Sequence, residues 1–338
     1  MSEFYTNLCL LGNDILYRGY ENGQPVQYRE KSQPVLFLVP DAQKKPSKYK
    51  TLDGRKAYPK KFDGAREARE FLKQYENAAG LEVHGYERYL YQHISKKFSG
   101  DVDYDMTKMR IYTIDIEVAC ENGFPDVEAS AEEMLCITIK DFNTKEIITW
   151  GTREANVDNE YRVFWTEAEM LEDFVAWWVQ NTPDIITGWN CNLYDIPYIC
   201  RRVERILGEK WKKSLSPWKR VHDREIIIQG RKNIAYDLTG VNILDYLDLY
   251  KKFTYTNQES YRLDHIAMVE LDDAKLDHSQ YENFKDFYTN DWDRFVEYNI
   301  HDVDLVDRLE DKMKLVELCV AMAYDAKVNF TDVYSQVR

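Results

Sequence analysis

Short apolar runs separated by turn signals organise the first third of the chain. Residues 4–40 pass through LGND, YENGQPV and KSQPVLFLVP, and ENGQ between two strand-like runs predicts a hairpin, because Asn and Gly tolerate positive φ. The lysine-rich stretch QKKPSKYKTLDGRKAYPKKF reads as a basic loop. GAREAREFLKQYENAAG then has helical spacing and stops on a glycine. Residues 1–106 are therefore expected to form a small α+β domain.

The texture changes at residue 107. RIYTIDIEVA reads as a buried strand, with MLCITIKDF and EIITWGT continuing it as a meander. EAEMLEDFVAWWVQNT follows a helical period that lines up Met170, Leu171, Phe174, Trp177 and Trp178. PDIITGWN is a strand running into a loop, and DIPYICRRVERILG is the helix after it. REIIIQGRKNIAYDL predicts a hairpin turning near Gly230, and VNILDYLDLYKKF a strand that becomes a helix. The stretch from Trp292 to Lys327 is helical with a break expected near residue 312. These elements define a domain at 107–312 and a C-terminal helical segment at 313–338.

Within RIYTIDIEVA the side chains alternate between two faces. Arg110, Tyr112, Ile114, Ile116 and Val118 share one; Ile111, Thr113, Asp115 and Glu117 share the other. Two carboxylates thus stand against what should be core, where an uncompensated charge costs several kcal/mol. Two more acids interrupt well-patterned segments: Asp195 in GWNCNLYDIPYI, and Asp302 in EYNIHDVDLV, with Tyr298 one helical turn before it. Carboxylates gathered from a strand, a loop and a helix make a hard oxygen site suited to Mg²⁺ or Mn²⁺. Two such ions about 3.5–4 Å apart could clamp a phosphodiester. Singly, an Asp in a strand or an amphipathic tyrosine is ordinary, so the argument lies in the combination. Other acid-rich runs, EASAEE and DVDLVDRLED, read as solvated surface.

Composition narrows the classes. The 338 residues are 44% hydrophobic and 14% aromatic, enough for a large core and more than one domain. The N-terminus lacks the basic-then-apolar pattern of a signal peptide, and no apolar run approaches a membrane span. The six cysteines form no CxxC or zinc-type cluster and read as reduced thiols of a cytoplasmic protein. A net charge of −14 argues against a protein whose main task is to grip a nucleic-acid backbone. The charge is uneven: residues 1–106 carry about 17 basic and 15 acidic side chains, leaving roughly −16 for the rest.

TIDIE, GWNCNLYDIPY and YNIHD resemble the three exonuclease motifs of family B DNA polymerases. LDYLDLYKKFTYTNQESYRLDHIA and AYDAKVNFTDVYSQVR more narrowly resemble the replicative polymerases of T-even-type bacteriophages. The resemblance covers nearly the whole chain. It implies an α/β fold, an RNase H-like mixed sheet with flanking helices in the DEDD exonuclease class, preceded by the small α+β domain. It implies 3′→5′ hydrolysis of single-stranded or frayed DNA ends to nucleoside 5′-monophosphates by two divalent ions. Asp115, Glu117, Asp195 and Asp302 would be the ligands, with Asp115 bridging and Asp195 supporting the second ion. Tyr298 would orient the attacking water. Glu297 occupies the position where a histidine marks the other branch, so the chain is of the tyrosine type and His301 is a helix-surface neighbour. Asn190, Tyr194 and Phe124 would touch the 3′-terminal nucleotides. The hairpin at Gly230 would keep primer and template apart.

The family's polymerase motifs, of the kind SLYPS and DTDS, are not in this sequence. The chain is expected not to polymerise alone, to bind DNA weakly, and to meet a polymerase domain in cis or as a separate chain in the host-cell cytoplasm. Two other readings stand beside this one. The basic segment 44–61, with Tyr49, Tyr58 and Phe62 interleaved, could bind RNA in a non-catalytic regulatory module. The same fold could also serve a stand-alone repair or RNA-processing exonuclease.

Overall fold

The computed structural model describes residues 3–42, 45–120, 123, 125–228, 230–273 and 280–334. They divide into two compact units, Met1–Tyr104 with Ala323–Asn329, and Asp105–Met322 with Phe330–Arg338.

In the first unit, β1 (Glu3–Leu11), β2 (Asp14–Glu21) and β3 (Gln24–Lys31) form an antiparallel meander. Glu21 pairs with Gln24 across a two-residue turn in which Asn22 and Gly23 have φ of 53° and 76°. This is the hairpin that ENGQ predicts. The second sheet has the order β5 (Tyr49–Lys50), β6 (Lys56–Lys61), β4 (Val35–Pro40), β7 (Leu81–His84).

The lysine-rich stretch is thus strand rather than loop over β5 and β6. Ala57 turns inward, Lys50 and Lys61 stay exposed, and the backbone of β6 pairs with apolar β4. Lys60 also lies over the rings of Phe62 and Phe71. Helices α1 (Ala65–Tyr75) and α2 (Tyr89–Lys97) contribute Ala65, Ala68 and Tyr89 to a small core with Leu36 and Phe62. Helix α1 ends at Tyr75, short of the glycine expected to stop it; Gly80, at φ 78°, instead turns the chain into β7. Residues 323–329 belong to this unit: the Tyr324 hydroxyl donates to the Tyr5 carbonyl at 2.6 Å, and the Asn329 amide bridges Leu8 N–H and C=O at 2.9 Å each.

The second unit is built on a six-stranded mixed sheet. Its order is β11 (Glu160–Val163), β10 (Ile147–Gly151), β9 (Met134–Asp141), β8 (Ile111–Val118), β12 (Ile185–Thr187), β15 (Asn242–Ile243). β8, β9 and β10 are the expected antiparallel meander; β12 runs parallel to β8, and β15 parallel to β12. This mixed sheet between helices is the RNase H-like arrangement. β13 (Val221–Ile228) and β14 (Arg231–Leu238) stand apart as a two-stranded ribbon.

Helices cover both faces. On one, α3 (Glu167–Gln180) and α4 (Asp195–Leu207) place Phe174, Trp178, Ile196 and Ile199 against Ile114, Ile116 and Val118. On the other, α8 (Phe284–Asn290) and α9 (Trp292–Met313) place Phe287, Phe295 and Tyr298 against Leu135 and Cys136. The remaining helices are α5 (Glu209–Ser214), α6 (Tyr246–Phe253), α7 (Leu263–Leu271), α10 (Leu315–Ala326) and α11 (Phe330–Tyr334). Lys314, left-handed at φ 57°, separates α9 from α10 near the expected break. No helix among the described residues is long and apolar enough to cross a membrane.

None of the six cysteines is in a disulfide; Cys136, Cys191, Cys200 and Cys319 are buried and Cys9 and Cys120 half-buried. Burial pushes the four enclosed thiols up, Cys319 to about 12, so little reactive thiolate forms near neutral pH. A colourless-to-yellow disulfide reagent is expected to titrate Cys9 and Cys120 in the folded chain and the other four only in urea. Six equally fast thiols under native conditions would contradict this.

Candidate metal centre

Asp115 and Glu117 lie two residues apart on β8 and so share a face. Helix α9 crosses that face and brings Asp302 to them. One carboxylate oxygen from each of Asp115, Glu117 and Asp302 lies within 4.8 Å of the other two. Asp302 is 3% exposed and Glu117 9%, whereas Asp115 is half-buried, so the group has a buried floor and an open side. The donors are hard oxygens only, which suits Mg²⁺ or Mn²⁺ and not a thiolate-preferring metal.

Three further residues fix this geometry. Asn299, fully buried on α9, donates from Nδ2 to Asp115 Oδ2 at 2.6 Å. Its Oδ1 takes the Cys136 S–H at 3.4 Å, and Cys136 sits directly opposite Glu117 on β9. Burial, and then the Glu117 charge, keep that thiol protonated and able to donate. Asp195 opens α4, and its Oδ1 accepts the Ile116 N–H at 3.1 Å, the backbone amide between the two strand carboxylates. That amide needs a side-chain acceptor because β12 ends at Thr187. Gly188 passes so close to β8 that a Cβ would lie 2.5 Å from the Ile114 carbonyl.

Asn299→Leu keeps the volume but removes the donor to Asp115. Supporting bonds of this kind are worth about 10- to 100-fold in metal affinity, so Mn²⁺ binding is expected to weaken by about that factor. Unchanged affinity by calorimetric titration would contradict the assignment.

The anchoring of α9 corrects one reading of the sequence. The pattern of DVDLVDRLED predicts solvated surface, yet Asp307 and Glu310 are buried. Lys140, buried on β9, reaches Asp304 and Asp307 at 2.7 Å each, and Lys145 reaches Asp307 at 2.6 Å. Glu310 accepts the Val316 and Glu317 amides at the start of α10. Helix α9 has so much packed around it that its acids became anchors. For the same reason His301 is half-buried with Nδ1 enclosed, not a surface neighbour.

The turn before α4 holds the other expected site residues. Asn190 is left-handed at φ 64°. Tyr194 is half-buried against Tyr198, its phenol pushed up by burial and then by the charges of Glu117 and Asp195. Tyr298 lies on α9 one turn before Asp302, with Phe287 at 6.0 Å. Gly230, at φ 78°, turns the ribbon between the paired residues Ile228 and Arg231, next to Ile227, which is 70% exposed. Phe124 lies outside the described residues.

The structure therefore gathers Asp115, Glu117 and Asp302 into one group, with Asp195 adjoining through Ile116. It places Gly230 on a separate ribbon. Two contributors escaped the sequence reading: Asn299 and Asp245. Asp245 precedes α6 and accepts the Asn190, Asn192 and Leu247 amides at 3.1, 2.9 and 3.0 Å. The only signal for either was a polar residue inside an apolar run, at ILDYL and at YNIHD.

Residues 74–266 match the family described as DNA polymerase family B, exonuclease domain. The sequence is 34% identical to the DNA-directed DNA polymerase of Enterobacteria phage T4 and 31% identical to that of Escherichia phage RB69. Each alignment covers 100% of this chain and 40% of the relative. A likeness of 31%, over 60% of this chain and 21% of the relative, extends to the DNA polymerase catalytic subunit of Human herpesvirus 7 (strain JI). The chain thus spans about 40% of the length of the phage relatives it matches.

Proposed function

Because the chain belongs to the exonuclease domain of DNA polymerase family B, we propose that it removes nucleotides from single-stranded or frayed DNA 3′ ends as the proofreading portion of a replicative polymerase. The observation that carries this reading is the group Asp115, Glu117 and Asp302, drawn from β8 and α9 onto one point. Asp115, Glu117 and Asp302 would hold one divalent ion, and Asp115 with Asp195 a second. When bound, two Mg²⁺ or Mn²⁺ ions supply an activated water and stabilise the leaving oxygen.

The chain's own residues do the rest. Asn299 fixes the Asp115 carboxylate, and Asp195 pins the β8 backbone between the two acids. The Tyr298 phenol, one turn from Asp302, orients the water for attack on the terminal phosphodiester, which makes the site DEDD with tyrosine. Asn190, Tyr194 and Phe124 seat the terminal nucleotides by stacking and hydrogen bonding, which a chain of net charge −14 needs because its overall field repels a phosphate backbone. The ribbon turning at Gly230 separates primer from template. The partner is the remainder of a polymerase, in cis or as a second polypeptide, in the cytoplasm of the host cell.

The test uses a short single-stranded DNA with Mg²⁺ or Mn²⁺, with EDTA as control, and chromatography of the products. Nucleoside 5′-monophosphates that appear only with added metal support the reading. Nucleoside 3′-monophosphates, or release unaffected by EDTA, contradict it.

A second reading concerns the first unit. Beside the basic strands, Phe37 of β4 meets Tyr49 of β5 edge-on at 5.1 Å, and Lys48 lies 5.0 Å over the Tyr49 ring. Stacking rings beside lysines would suit single-stranded RNA. Tight RNA binding without hydrolysis would favour that module, and hydrolysis preferring RNA would favour an RNA-processing nuclease.

A further inference from the structure

We infer that Asp245 is a positioning residue of the metal centre: through the turn at residues 190–192 it sets where Asp195 stands. The inference rests on the two-ion reading above.

Asp245 is the N-cap of α6, a task that needs one acceptor for one amide, and Ser or Asn performs it as well. Here the carboxylate does more. Oδ1 accepts from Leu247 and also from Asn190, while Oδ2 accepts from Asn192. The two loop bonds lie on either side of Cys191 and hold a turn that contains a left-handed asparagine. Asp245 is itself held firmly: Leu244 N–H donates to the Ile186 carbonyl at 2.8 Å and Tyr246 N–H to the Gly188 carbonyl at 2.9 Å. The end of β12 is thereby zipped to the segment that carries it.

From the turn, bonds run on to the site. The Asn190 carbonyl accepts the Leu193 and Tyr194 amides at 3.1 Å each, and the Cys191 carbonyl accepts the Ile196 amide at 3.0 Å. The first turn of α4 therefore hangs on these two residues. Asp195 is its first residue and reaches the Ile116 amide between Asp115 and Glu117. A helix cap alone would not call for a buried charge. Burial and the neighbouring Asp248 push the Asp245 carboxyl up to about 7, and the three amides work against that shift. A carboxylate at this position supplies enough lone pairs for three amides at once; a hydroxyl or an amide oxygen does not.

The variants that test this are Asp245→Asn and Asp245→Ser, both of which retain the cap for Leu247 but cannot serve Asn190 and Asn192 together. The control is Asp248→Asn, which removes the neighbouring charge and none of the three bonds. Mn²⁺ binding to the DNA-free chain is measured by electron paramagnetic resonance, beside melting temperature and the kcat and KM for single-stranded DNA. Both Asp245 variants are expected to melt within a few degrees of the parent and to bind the weaker Mn²⁺ about 10- to 100-fold less tightly. Their kcat should fall more than KM rises, and Asp248→Asn should match the parent. Parent-like Mn²⁺ binding and kcat in both Asp245 variants would overturn the inference, as would an equal loss in Asp248→Asn. A parent chain that binds no Mn²⁺ would bring down the two-ion reading itself, a distinguishable failure.

Discussion

Asp115→Ala combined with Glu117→Ala is expected to lower hydrolysis by about 10³-fold or more, since several kcal/mol of transition-state stabilisation disappear with the ions these residues hold. The same change should not unfold the chain. With Asp302, the two acids form a like-charged group within 4.8 Å. At an effective dielectric of about 20, two unit charges at that separation repel by roughly 3–4 kcal/mol before any partner is counted. In EDTA the double variant is therefore expected to melt at or above the temperature of the parent. Added Mg²⁺ should raise the melting temperature of the parent, as any ligand that binds only the folded state does, and leave the variant unmoved. A variant that still hydrolyses DNA at the parental rate would mean that the site lies elsewhere. One that melts far below the parent in EDTA would mean that the two acids are structural.

The second large effect lies away from the chemistry. Glu167, the first residue of α3, and Arg202 on α4 form a buried bidentate pair with N–O distances of 2.5 and 2.6 Å. Glu167 also accepts the Met134 amide at the start of β9, and Arg202 donates to the Ser130 and Ala131 carbonyls. The pair thus ties two helices and the loop before β9 on the side of the sheet away from α9. Glu167→Ala strands a guanidinium in the interior and is expected to cost about 3–5 kcal/mol. Glu167→Leu combined with Arg202→Met, which leaves no charge behind, should cost less than Glu167→Ala alone. Urea denaturation of the parent and both variants checks this. A single-variant loss below about 1 kcal/mol would place the pair with solvent-screened surface ion pairs instead.

What could be read from the sequence, and what could not, follows from how far each interaction reaches along the chain. The alternation in IYTIDIEV predicts both the strand and the odd placement of Asp115 and Glu117, because period-two patterning is local. The same holds for the hairpins at ENGQ and Gly230 and for the break between α9 and α10. The lysine-rich strands β5 and β6 were hidden because β6 takes its place by pairing with apolar β4, about 20 residues earlier in the chain, and β5 pairs in turn with β6. Lys140 gave no sign that it would hold Asp304 and Asp307 across more than 160 residues. Asn299 and Asp245 were missed for the same reason. Each acts through hydrogen bonds to distant residues, Asn299 to Asp115 and Cys136 and Asp245 to Asn190 and Asn192, and the neighbouring sequence does not show where those bonds go. Four of the acids could be picked out as chemistry because each breaks an apolar pattern; the residues that aim them could not.

The most direct test of the central claim follows a single-stranded DNA labelled at its 5′ end, digested with Mg²⁺ and sampled over time. A hydrolase built on Asp115, Glu117, Asp195 and Asp302 that works from the 3′ terminus leaves the label on a ladder of fragments shortening one nucleotide at a time. Early release of the label as a mononucleotide, or internal fragments without the intermediate rungs, would contradict it.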